Sequence, residues 1–188
     1  MKIKKTGNDS HIPNNLPHRP STLVNREGES LPTATQHMDG ERAEKLEHAI
    51  ANYEQALQVY ARESSPVEWA NTESNLGNAY AERIRGERAE NLERAIAHYE
   101  QALQVYTRAS FPAQWAATLN NLAAAYAQRI RGERAENLER AIAHYEQALA
   151  ASTNIGDLYS SARASYNLGL AHYKRCTKST QLRTLALM

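Results

Sequence analysis

His98 and His144 recur at one position of a repeated phrase, and a recurring histidine raises the question of a shared metal ion. They stand a whole copy apart. On packed helices that is roughly 10 Å, whereas zinc holds each nitrogen at about 2 Å, so no common ion is expected. Cys176 follows His172 by four residues, a spacing that puts thiol and imidazole on one helical face and could activate a nucleophile. No Asn or Asp stands near to orient that imidazole, and no pocket for an oxyanion is implied. The repeated Gly-Glu-Arg turns are too acidic to cradle a phosphate. The residues therefore predict no catalytic group, no metal ligand and no cofactor site, and the protein is expected not to be an enzyme.

The elements that carry these residues are copies of one another. Gly40, Gly86 and Gly132 each open the phrase Gly-Glu-Arg-Ala-Glu, spaced by 46 residues. The string from Gly132 to Leu149 is identical to that from Gly86 to Leu103, and the string from Gly40 differs from it only at Lys45, His48 and Asn52. A fixed period of this length predicts a solenoid, in which each unit buries its apolar face against its neighbours. Two helices are expected in each unit. Leu92, Ala95, Ile96, Tyr99, Leu103 and Tyr106 form one stripe, predicting a helix over 92–108 with Asn91 as its N-cap. Trp115, Leu119, Leu122, Tyr126 and Ile130 form a second, opened by Pro112 and closed by Gly132 in a left-handed cap. Both are read as long helices. The fold class is all-α, a right-handed solenoid of antiparallel helix pairs with about six helices.

Composition bounds the rest. Residues 40–173 carry 13 Lys and Arg against 17 Asp and Glu, an acidic body of about −4 that argues against nucleic acid and anionic membrane as partners. A short basic tail is expected over 175–188. Residues 1–39 hold four prolines and no apolar period, and are read as a disordered tail ahead of Met38, a candidate start. With one cysteine there is no intrachain disulfide. Neither an apolar run of about 20 residues nor a secretory h-region stands out, so the expected compartment is the cytoplasm.

Taken in the order second helix then first, the unit resembles a tetratricopeptide repeat. Leu76-Gly77-x-x-Tyr80 followed by Ala95, Tyr99 and Ala102 carries the resemblance, and Leu122-Ala123-x-x-Tyr126 with Ala141, Tyr145 and Ala148 carries it again. The usual unit has 34 residues, so this is a long variety. The run from Trp115 to Glu139 is similar to the repeat arms of bacterial proteins that often continue into a caspase-like CHAT protease domain, for which residues 40–174 leave no sequence.

The resemblance implies protein binding, with the Leu76, Leu122 and Leu168 helices lining a concave face. Candidate partner-binding residues there are Asn78, Glu82, Asn120, Asn121, Gln128, Arg163, Tyr166, Leu170 and Tyr173. Asn78, Asn121 and Arg163 partly match the family's clamp for a C-terminal carboxylate, while Ser74 and Asn167 stand where that clamp uses basic residues. Tyr159, Tyr166 and Tyr173 recur every seven residues and share a helix face. Two functions stand side by side: a non-catalytic scaffold that holds a protein or peptide in its concave face, and a detached arm of a signalling or protease-linked protein that associates with itself through the ends of its array.

Overall fold

A computed structural model describes residues 34–186, with side chains over 38–177. The chain divides between Asp39 and Gly40, and Gly40–Met188 is one unit. The disorder expected of residues 1–39 lies outside the described residues as far as position 33. From Ala34 onward the chain is helical, because Pro32 is the last helix breaker before the first repeat.

Six helices occur among the described residues: α1 (Ala34–Val59), α2 (Pro66–Glu82), α3 (Arg88–Ala102), α4 (Pro112–Gln128), α5 (Arg134–Asn154) and α6 (Leu158–Ala186). The Gly40–Met188 unit is an all-α repeat array. From α2 onward consecutive helices pack on one another, and α4 also meets α2 and α6 across the intervening helices. The last helix continues to Ala186, so the basic segment after 174 extends α6.

The core follows the register. Leu76, Tyr80, Leu92, Ile96 and Tyr99 are buried in one cluster with their counterparts Leu122, Tyr126, Ile142 and Tyr145. One ion pair is copied three times: Arg83 binds Glu47 at 2.7 and 2.8 Å, Arg129 binds Glu93 at 2.8 Å through both nitrogens, and Arg175 reaches Glu139 at 3.2 Å. Each ties a helix, or the residue just past its end, to the side of the helix immediately before it in sequence.

Several boundaries differ from those the sequence suggests. Asn91 does not precede α3 but lies buried in its first turn. Its Nδ2 donates to the Arg85 carbonyl at 2.8 Å, and Asn137 does the same to Arg131. These amides brace the loops around Gly86 and Gly132, both at φ 77°, where the left-handed backbone favours glycine. The loops begin earlier than expected, because Arg83 and Arg129 leave the helix in extended conformation. Helix α3 ends at Ala102 rather than near Arg108. Tyr106 then folds back, buried against Ala70 and Ala102, with its hydroxyl on Asn71. After the same string, α5 runs on to Asn154 and closes on Gly156, where Gly156 N–H donates to Thr153 O and Asp157 N–H to Ser152 O. Asp157 then caps α6 by accepting from Ser160 N–H at 3.0 Å.

Candidate functional site

The helices α2, α4 and α6 turn one edge toward a run of three adjoining hollows. Leu46, Tyr53, Asn75, Asn78 and Glu82 line the first. Asn78, Glu82, Tyr99, Asn121, Ala124 and Gln128 line the second. The third lies among Ala124, Gln128, Tyr145, Asn167, Leu170 and Lys174. Shared walls at Asn78 and Glu82, then at Ala124 and Gln128, make them one groove. Small residues at Ala81, Ala124 and Ala127 keep its floor open.

Within the groove Asn78 is a junction. Its Oδ1 accepts from the Tyr99 hydroxyl at 2.8 Å and from Asn121 Nδ2 at 2.9 Å. Burial pushes the Tyr99 phenol far above its ordinary value, so it stays a proton donor. The wall changes charge along the register: Glu82, Gln128 and Lys174 occupy equivalent positions. Arg42 binds Glu82 at 2.9 Å and Arg88 donates to Gln128 at 2.8 Å.

The nine expected residues divide into groups. Asn78, Glu82, Asn121 and Gln128 come together in one hollow, and Leu170 joins Gln128 in the next. Asn120 is buried, 4 % exposed, with its Oδ1 taken by Asn167, so it offers no surface. Tyr166 and Tyr173 are 73 % and 66 % exposed but line none of these hollows. Arg163 is half-buried with its Nε unpartnered, and it does not line the hollow that holds Asn78 and Asn121. Lys174 was missed and Asn167 was read only as a departure from the clamp; counting 46 residues on from Gln128 and Asn121 reaches both.

The recurring histidines sit outside the groove. His98 stacks on Tyr80 and meets Glu73 at 2.7 Å through Nδ1. His144 stacks on Tyr126, but Leu119 stands where Glu73 stood, and its buried Nδ1 has no partner. Burial holds the His144 pKa below its ordinary value. Among the described residues no group of three or more His, Cys, Asp or Glu is placed to hold a metal ion. Cys176 is exposed on α6. Among the same residues no helix is long and apolar enough to cross a membrane.

The family model for the tetratricopeptide repeat matches residues 115–153, which are α4 and α5 with their connecting loop. The chain therefore carries a tetratricopeptide-family repeat, and such repeats are generally protein–protein interaction scaffolds. No curated protein matches the chain.

Proposed function

We propose that the protein is a non-catalytic scaffold that holds a segment of another protein in the groove along α2, α4 and α6. One observation carries this reading: three register-related helices leave a continuous groove whose wall runs from Glu82 through Gln128 to Lys174. A polypeptide fits such a wall, with its basic part near Glu82 and its acidic part near Lys174. The Asn78 amide supplies backbone-type hydrogen bonds between them. Nucleic acid and anionic membrane suit it poorly, because residues 40–173 carry excess negative charge. A cytoplasmic setting accords with the single cysteine.

The test is a photo-crosslinking residue at Gln128, with one at the exposed Gln101 on α3 as control. Capture of the same protein segment from Gln128 and not from Gln101, lost in Glu82→Lys/Lys174→Glu, is the expected result. Equal capture from both positions overturns groove binding. A second reading, association of the chain with itself, is favoured by the part-exposed Tyr53 on α1, whose counterparts Tyr99 and Tyr145 are buried.

A further inference from the structure

Each full unit of the array pairs a leading helix with the helix that follows it: α2 with α3, and α4 with α5. The register makes α1 a follower and α6 a leader. In α2 the face turned to the follower includes Ala70, Gly77 and Tyr80, all buried. The equivalent Ala116, Ala123 and Tyr126 of α4 are buried as well. In α6 the same positions are Ala162 and Gly169, both exposed, and His172, half-exposed. The follower face shows the complement. Leu92, Ala95 and Tyr99 are buried in α3, whereas the same residue types in α1, Leu46, Ala49 and Tyr53, are only half-buried.

One contact makes this specific. A Cβ on Gly77 would lie 2.7 Å from the Tyr99 ring, so the glycine is the seat of that ring. Gly169 is its equivalent, and a Cβ there would meet nothing within 4 Å. Tyr53 is the equivalent of Tyr99.

Resting on the self-association reading, we propose that a second copy of the chain docks head to tail. Its α1 lies on α6 as α3 lies on α2, and Tyr53 of the second copy seats on Gly169. Charge favours this pairing. Over 40–59, α1 has four Glu against Arg42 and Lys45, whereas over 158–177 α6 has Arg163, Lys174 and Arg175 and no acid. A two-fold pairing would set basic α6 against basic α6, while unlike ends attract and propagate the array. Tyr166 and Tyr173, three residues before and four after Gly169, flank the seat with strongly exposed rings.

Two variants of the full chain decide it by sedimentation equilibrium. Gly169→Lys fills the seat without touching the isolated fold, since the site is open and lysine is the better helix former. Tyr53→Ala removes the ring. The wild type should rise above 21.1 kDa with concentration, while each variant associates about tenfold or more weakly. Mixed, the two variants should form a one-to-one dimer at wild-type strength and stop there, because each keeps one intact end. Circular dichroism checks folding, and Gly169→Lys alone carries the test if Tyr53→Ala melts. A wild type that stays monomeric at high micromolar concentration overturns both the proposal and the self-association reading. Wild-type association by Gly169→Lys, or a mixture that does not dimerise, overturns the head-to-tail arrangement alone.

Discussion

Arg129 grips Glu93 with two nitrogens at 2.8 Å, fastening the end of α4 to the flank of α3. The side chains are 24 % and 23 % exposed, so the pair is only partly screened by solvent. Hydrogen bonding from Arg129 holds the Glu93 carboxyl below its ordinary 4.5, with burial opposing. A depressed acid contributes stability that is present above 4.5 and lost as pH falls through the lower folded value. Glu93→Gln should cost about 1 kcal/mol at neutral pH and shrink the acid-side loss. Urea melts at pH 7 and below pH 4 check it; equal costs at both would contradict the assignment.

His144 gives a second pH dependence of a different kind. Its pKa is lowered chiefly by burial, with Glu100 pulling the other way and Arg140 adding to the lowering. The unfolded chain then binds a proton more readily than the folded one. Stability is full above the ordinary 6.5 and declines as pH falls toward the folded value. His144→Gln should flatten the stability slope just below that pH. An NMR titration should find the His144 ring still neutral where an exposed histidine is half charged.

The Gly77 seat bears on stability within one chain. Gly77→Val overpacks the Tyr99 ring and should cost about 1–3 kcal/mol. Gly169→Ala, at the open counterpart, should stabilise the monomer by up to about 1 kcal/mol. Thermal melts at low concentration separate the two signs.

Trp115 is half-buried and bridges the clusters around Tyr106 and Leu119. Trp115→Ala should cost about 2 kcal/mol, below the range for a fully buried tryptophan. In α6 that position is Ser161, which reaches only Ser152 and Thr153. Amide exchange should be faster over 158–174 than over 112–128, and slower exchange in α6 would count against the ranking.

Much of this architecture was legible because the 46-residue period acts on whole helices. Leu76 and Leu122 had to point inward once their neighbours were known to be copies. Ends of helices were harder. Asn91 reads as a cap by type, yet it serves a loop whose path is set by Arg83 reaching across to Glu47. The groove residues were partly legible for the same reason. Asn78 and Gln128 follow from register, whereas burial of Asn120 depends on Asn167, a contact 47 residues away that no local pattern encodes.

The identical strings 86–103 and 132–149 also pose a problem for the chain while it folds. An emerging α2 meets two segments with the same apolar stripe, and pairing with the wrong one would look locally correct. Loop closure favours α3, the nearer in sequence, though entropy separates near from far only weakly. The decision falls to residues just past the duplicated letters. Tyr106 finds Asn71 and the slot beside Ala70, while Ser152 at the same position carries only a short hydroxyl, which bonds within its own helix and to Ser161. Tyr106 thus gives the nearer string a contact with α2 that the copied letters alone do not encode.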